Sequence, residues 1–251
     1  MDIIINGANG RMGRILTEMI EAGHDGLSIA ARVDQNGDLG ENGYAALSDY
    51  AGKADAVIDF SHHTATESIL SYCLKRNLPV VIATTGQTEE ELSMIRQAAE
   101  KIPVFLSANM SIGVALLADL AAKAASVFPE ADIEIIERHH NQKLDVPSGT
   151  ALLLARRIRE SRPEAEFVLG RHENGKRTPQ EIGIHSLRYG SEVGTHEIII
   201  STGSETVTLK HEAENRALFA QGALAAVKFL AGQQPGLYDM RDIIGQGGKQ
   251  A

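Results

Sequence analysis

Residues 1–21 constrain the fold more than any other stretch. Met1-Asp2-Ile3-Ile4-Ile5-Asn6 is a short apolar run that stops at Gly7-Ala8-Asn9-Gly10-Arg11-Met12-Gly13. Met12, Ile15, Leu16, Met19 and Ile20 then fall on one helical face, with Arg14, Thr17, Glu18 and Glu21 left outward. The pattern is strand, glycine turn, helix. Glycines at 7, 10 and 13 let such a turn fold tightly, admit a pyrophosphate to the backbone, and allow the helix to lie close on the sheet.

A second apolar run, Leu27 to Val33, ends at Asp34, about twenty residues past Gly13, where an acidic side chain can accept the two hydroxyls of a ribose. An ordinary βα turn and a solvated aspartate are the plainer readings, but strand, turn, helix and acid in register favour dinucleotide binding. Gln35 stands where a basic residue would favour the 2′-phosphate of NADP, so the cofactor leans to NADH; Arg11 and Arg32 are near enough in sequence to keep NADPH open.

Strand and helix patterns continue to alternate. Ala56–Phe60, Pro79–Ala83 and Pro103–Leu106 are apolar, and Thr64–Arg76 and Glu89–Lys101 are amphipathic between them. Continuous apolar strands between such helices predict a parallel sheet covered on both faces. The segments just past the strand ends, Ser61, Thr84-Thr85-Gly86 and Ser107-Ala108-Asn109-Met110, are then expected at the ligand crevice. Cys73 falls among Ile69, Leu70 and Leu74, a core position.

After a long apolar helix over Ser111–Phe128 the pattern changes. Arg171–Glu181 is polar and irregular, and Ile182–Tyr189, His196–Ser201 and Thr206–His211 read as strands of a mixed or antiparallel layer. From Ala213 to about Gly232 the chain turns helical, and Pro235–Asp242 holds enough apolar residues to pack, most economically back on the first domain. The fold class is therefore α/β: an N-terminal Rossmann-type parallel sheet plus a second α+β domain with a mixed or antiparallel sheet. The expected domains are 1–110 with 215–251, discontinuous, and 111–214.

Between an apolar strand at Asp132–Glu137 and a helix at Ala151–Glu160 lies Arg138-His139-His140-Asn141-Gln142-Lys143-Leu144-Asp145-Val146-Pro147-Ser148-Gly149-Thr150. His139 and Lys143 are candidate proton donors. Pro147-Ser148-Gly149-Thr150 opens the helix, whose first N–H groups have no partner within it and suit a carboxylate. Taken singly, these are surface histidines and a helix cap; two His, a Lys, an Asp and a cap in so short a span exceed what a cap needs.

Composition narrows the function classes. A net charge of −9 leaves no basic stripe for nucleic acid, and 4% aromatics with no Trp leaves no stacking platform. No run reaches membrane-spanning length, and no charged leader followed by an apolar run opens the chain. A single Cys excludes an internal disulfide, so a cytoplasmic enzyme or small-molecule binder is expected. Neither His62-His63 nor His139-His140 has metal-ligand spacing, so no metal is expected.

With the turn Gly7–Arg14, Asp59-Phe60-Ser61, Thr84-Thr85-Gly86, Ala108-Asn109-Met110-Ser111, the whole His139–Ala151 motif and Gly236-Leu237-Tyr238-Asp239-Met240, the chain resembles the 4-hydroxy-tetrahydrodipicolinate reductase (dihydrodipicolinate reductase) family nearly end to end. The resemblance implies NAD(P)H-dependent reduction in lysine and diaminopimelate synthesis, with His139 as general acid/base and Lys143 as second proton donor. It further implies that His140, Ser148, Gly149 and Thr150 contact a dicarboxylate substrate, with Arg216 near the domain junction. Gly7, Ala8, Asn9, Gly10, Arg11, Met12, Asp34, Ala83, Thr84, Thr85, Ser107, Ala108, Asn109 and Met110 would border the cofactor. It also implies a C-terminal return to the first domain and a homotetramer built by the second sheet. A nonenzymatic nucleotide sensor would have no use for the His-Lys pair, and aspartate-semialdehyde dehydrogenase would need a thiol at a strand end.

Overall fold

The structure, a computed structural model, describes residues 1–23, 26–37 and 39–247. In chain order its elements are β1 (Asp2–Asn6), α1 (Arg11–Glu21), β2 (Ser28–Val33), β3 (Gly43–Tyr44), β4 (Ala56–Asp59), α2 (Thr66–Arg76), β5 (Val80–Ile82), α3 (Glu89–Ala99) and β6 (Pro103–Leu106). There follow α4 (Ile112–Val127), β7 (Asp132–His139), α5 (Gly149–Arg159), β8 (Glu166–Leu169), β9 (Glu181–Arg188), β10 (Gly194–Ser201), β11 (Thr206–Ala213), α6 (Ala217–Leu230), β12 (Gly236–Tyr238) and α7 (Met240–Gly247). The chain divides into two compact units, Met1–Ile112 with the segment from Ala217 onward, and Gly113–Arg216. The divisions at 112 and 216 fall just beyond the expected 110 and 214, and residues 248–251 of the expected first domain lie outside the described residues.

In the first unit seven strands form a parallel sheet in the order β12-β6-β5-β4-β1-β2-β3. Every residue of β4 and β5 is buried, as a strand covered on both faces requires. One face packs Ile4, Val57, Val80 and Val104 with Ile69, Leu70 and Cys73 of α2 and Ile95 of α3. Local chemistry sets the helix ends: α2 stops at Asn77, whose φ of 52° is left-handed, and α3 starts in a Thr88/Glu91 capping box. The C-terminal segment joins this sheet, with Leu237 in register with Val104 and Phe229 of α6 lying edge-on between Phe105 and Tyr238.

The second unit holds a five-stranded mixed sheet, β11-β10-β7-β9-β8: β10 runs antiparallel to β11 and β7, while β7, β9 and β8 are parallel. Alternation puts Ile133 and Ile135 of β7, Ile182 and Ile184 of β9, and Ile198 and Ile200 of β10 in a core with Leu117 and Ala121 of α4 and Leu154 and Ile158 of α5. At one end of the sheet that same buried face becomes polar. The next inward positions are Glu137 and His139 on β7 and His196 on β10, all buried.

One expectation is corrected and one strand is added. The helix expected from Ala213 begins at Ala217, because Thr206–Ala213 pairs with β10 along its whole length and Ala213 is the last rung, opposite Gly194. Glu166–Leu169, which has no strand-like alternation of its own, is recruited as β8 by parallel pairing with β9.

Candidate active site

In the first unit the glycine turn follows β1 at the carboxyl edge of the sheet. The amides of Gly7 and Ala8 donate to the Val33 carbonyl at 2.8 and 3.1 Å, and that of Gly10 donates to the Gly7 carbonyl at 3.1 Å. Gly7 has a φ of 82°, and a Cβ there would lie 2.6 Å from the Phe60 carbonyl oxygen; a Cβ on Gly13 would collide with the Gly7 carbonyl. No side chain caps α1, so its first amides, on Arg11 and Met12, remain directed along the helix start. Asp34, at the end of β2, accepts from the amides of Asn9 at 3.0 Å and Asn36 at 2.9 Å, which fixes its carboxylate beside the turn. A cavity of about 930 Å³ opens here, lined among others by Gly10, Asp34, Gln35, Ser61, Lys75 and Arg76. Space denied to any Cβ, an uncapped helix start and an anchored acid together fit a dinucleotide.

Behind the turn a buried network joins three strand ends. Asp59 accepts from Asn6 Nδ2 at 2.8 Å, from Ser61 Oγ at 2.6 Å and from Thr84 Oγ1 at 2.7 Å. Thr84 is therefore held inward while Thr85 is exposed. After β6, Ser107 Oγ donates to the Asn109 carbonyl at 2.8 Å, and Asn109 Oδ1 accepts the Ser111 amide at 2.9 Å, so this loop too is shaped by its own polar groups.

In the second unit the polar end of the sheet forms a side-chain cluster around Glu137. His139 Nδ1 lies 2.5 Å from Glu137 Oε2, Arg188 approaches both carboxylate oxygens at 2.9 and 2.8 Å, and the Ser148 amide donates to Oε1 at 3.1 Å. Burial pushes the Glu137 carboxyl up, but hydrogen bonds from His139, Arg188, Ser186 and Ser148 outweigh it and hold the group well below the usual carboxylate range. Ser148 caps α5 through the Ala151 amide at 3.2 Å, and its Oγ also lies 3.2 Å from His196 Nε2. The His196 ring meets His139 edge-on, with centroids 5.2 Å apart. Burial, followed by the neighbouring His139, lowers His196 to about 3, so it stays neutral. Lys143 pairs with Asp145 at 2.7 Å in the loop between β7 and α5. The cluster therefore brings an anchored imidazole, an ammonium and a helix start to one end of one sheet.

Comparison with known proteins places this arrangement. The family model described as dihydrodipicolinate reductase, N-terminus, matches residues 1–110, and the one described as dihydrodipicolinate reductase, C-terminus, matches residues 113–244. The chain belongs to the dihydrodipicolinate reductase family. The 4-hydroxy-tetrahydrodipicolinate reductase of Caldanaerobacter subterraneus subsp. tengcongensis is 45% identical over 248 residues, covering 98% of each chain. That of Clostridium tetani is 43% identical over 245 residues, covering 95% of this chain and 94% of its own. A dipicolinate-bound dihydrodipicolinate reductase from Paenisporosarcina sp. TG-14 superposes with a TM-score of 0.82 at 28% identity, covering 95% of this chain and 97% of that one. A probable dehydrogenase from Thermotoga maritima, at 14% identity and a TM-score of 0.60, shares the fold.

Of the positions singled out in this reductase-family chain, Gly7 to Met12, Asp34, Ala83 to Thr85 and Ser107 to Met110 all fall at the carboxyl ends of β1, β2, β5 and β6. His139, Lys143, Ser148, Gly149 and Thr150 fall on the end of β7, the loop and the start of α5; His140 is fixed through its amide to the Glu192 carbonyl at 2.8 Å. Arg216 lies in the turn before α6, and among the described residues no hydrogen bond or ion pair ties it to the Glu137 cluster. No group of three His, Cys, Asp or Glu gathers as a metal site among the described residues; His63 pairs with Glu91 at 3.0 Å instead. Glu137, Arg188 and His196 were not foreseen. Only Glu137 left a local sign, an acid two residues before His139 and therefore on the same strand face.

Proposed function

We propose that the chain reduces 4-hydroxy-tetrahydrodipicolinate to tetrahydrodipicolinate, with His139 and Lys143 as proton donors. As a member of the dihydrodipicolinate reductase family it is an NAD(P)H-dependent oxidoreductase. The observation that carries the site assignment is the anchored His139, beside Lys143 and the start of α5, in the chain segment that links them.

Gly7 to Met12, Asp34, Ala83 to Thr85 and Ser107 to Met110 would hold the dinucleotide. When bound, it supplies the hydride that reduces C4 of the unsaturated ring formed by loss of the 4-hydroxyl. His139 or Lys143 then hands a proton to the adjacent enamine carbon. Lys143 offsets the charge of one substrate carboxylate, and His140, Ser148, the Gly149 and Thr150 amides and Arg216 complete the diacid site. NADH is the better cofactor, because Gln35 brings no charge to the 2′ position and Arg32 is tied to Glu21 at 3.4 Å; Lys75 on the cavity wall lets NADPH serve as well.

The sheet face turned away from α4 and α5 carries Ile136, Leu187 and Ile199 with an Arg138–Glu197 pair at 3.3 Å, a surface suited to a homotetramer. No helix among the described residues is long and apolar enough to cross a membrane; the reading of the chain as a cytoplasmic enzyme is supported by its family's place in amino-acid biosynthesis. Cys73 is wholly buried and burial pushes its thiol up, which disfavours the semialdehyde dehydrogenase alternative.

The test is spectrophotometric: NAD(P)H oxidation with the product of dihydrodipicolinate synthase as substrate. Substrate-dependent oxidation is expected, and its absence would leave a nucleotide sensor as the reading. His139→Gln and Lys143→Ala should each lower kcat by about 10² or more with NADH binding kept; full turnover in either removes that residue from the mechanism.

A further inference from the structure

Glu137 occupies an unusual place for a structural carboxylate. It has no solvent exposure, yet it sits between the residue proposed to move a proton and the helix start proposed to hold a substrate carboxylate. Its partners converge from elements far apart in sequence. In the sheet it stands opposite Ser186 on β9 and His196 on β10, and His139 stands opposite Arg188. Arg188 not only forks onto Glu137 but also donates to the Asp145 carbonyl at 2.8 Å, which ties the clamp to the loop carrying Lys143.

The ring of His139 is thus held by one nitrogen. Nδ1 faces Glu137, whereas Nε2 makes no hydrogen bond among the described residues and lies against the start of β10, where a Cβ on Gly194 would come within 2.9 Å of it. A carboxylate that accepts only at Nδ1 selects the neutral tautomer with the proton on Nδ1 and leaves Nε2 for exchange.

We propose that Glu137, clamped by Arg188, is a positioning residue of the reaction: it holds the Nδ1 proton of His139 and so makes Nε2 the atom that delivers the proton to substrate. This rests on the reading of His139 as a proton donor. In the step, the imidazolium loses its Nε2 proton to the enamine carbon, the N–H electron pair stays on Nε2, and the Nδ1 proton remains shared with Glu137. Solvent then restores the Nε2 proton. Glu137 stays ionised throughout, in keeping with the downward displacement of its carboxyl.

A carboxylate in this role decides which ring nitrogen exchanges its proton, so its removal shows in the pH profile of turnover. The charged or titratable groups around the ring are Glu137 on β7, Arg188 on β9, His196 on β10, Glu192 in the preceding turn and Lys143 in the loop. Glu137→Gln keeps the shape and deletes the charge. The expected result is a kcat lower by about 10²-fold, a substrate KM within about threefold, unchanged NADH binding, and an alkaline limb of the turnover profile displaced from its wild-type position. A merely structural Glu137 would alter stability without moving that limb.

Should the variant not fold, nitrogen-15 NMR of the histidine-labelled wild-type protein decides the matter. The neutral His139 ring is expected with Nδ1 protonated; the opposite tautomer overturns the proposal. So does a folded Glu137→Gln enzyme with wild-type kcat and pH profile. His139→Gln run in parallel separates the two layers: if it is inactive while Glu137→Gln is normal, only the positioning role falls, whereas full activity of His139→Gln removes the donor itself.

Discussion

The turn after β1 and the cluster around Glu137, the two proposed ligand sites, are built on different physics. Around Gly7–Gly13 the backbone does the building: amides and carbonyls of one contiguous stretch set the shape, and the side chains matter chiefly by their absence. Around Glu137 the backbone is ordinary strand and helix start, and the site is made by side chains of β7, β9, β10 and α5 that fold together. A backbone-built site tolerates no added atoms, while a side-chain-built site tolerates no unpaired charges. The two should fail under different insults.

The largest expected contrast is with acid. His196 is neutral and lowered to about 3 in the folded protein against 6.5 when unfolded, so between these values the unfolded chain binds the extra proton. Stability is therefore full above pH 6.5 and is lost as the pH falls toward 3, with a slope of up to about 1.4 kcal/mol per pH unit from this one group. Glu137, also displaced downward, adds loss of the same sign below the ordinary carboxylate value of 4.5. Among the described residues the first unit buries no histidine. Hydrogen exchange at pH 5 should thus expose β7 and β10 before β1 and β4. His196→Asn should flatten the pH dependence of the urea midpoint, and an unaltered slope would remove His196 from this account.

Added atoms should produce the reverse pattern. Gly13→Val places a side chain against the Gly7 carbonyl and Ala8, so the turn must open. A loss of about 2 to 3 kcal/mol of stability is expected, confined to the first unit, with NADH binding weakened by at least tenfold. Fluorescence titration with NADH measures it, and retention of wild-type affinity would show that the turn is not the cofactor cradle. A milder version is Gln35→Arg, which adds no strain at an exposed position and should raise the NADPH to NADH preference by about tenfold. An unchanged ratio of kcat/KM values would take Gln35 out of cofactor choice.

The same contrast explains what the sequence made legible. The glycine turn could be read because its determinants are local: three glycines, a helical face and Asp34 occur in fixed order along the chain. His139 and Lys143 were visible for the same reason, crowded into one loop before a Ser148 cap. Arg188 and His196 were not, because each becomes significant only through the register that sets it beside β7, and nothing local specifies that pairing. The strand at Thr206–Ala213 shows the limit from the other side. Its last residues look helical in isolation, and only the full ladder with β10 keeps Ala213 extended.

The smallest expected effect concerns the two proposed proton donors, which differ as the two regions do. His139 is paired with a carboxylate that has no exposure, whereas Lys143 is paired with Asp145, whose side chain is 57% exposed. A pair of the second kind is worth little to folding, since solvent already reaches the Asp145 carboxylate and screens the pair. Asp145→Asn should therefore leave the melting temperature nearly unchanged. Its effect belongs to binding: Asp145 competes with an incoming carboxylate for the Lys143 ammonium, and the asparagine competes less. The substrate KM should fall by about two- to threefold, equivalent to well under 1 kcal/mol. A higher KM would mean that Asp145 holds Lys143 ready for the substrate rather than away from it, making the exposed pair a positioning device of the same kind as the buried one.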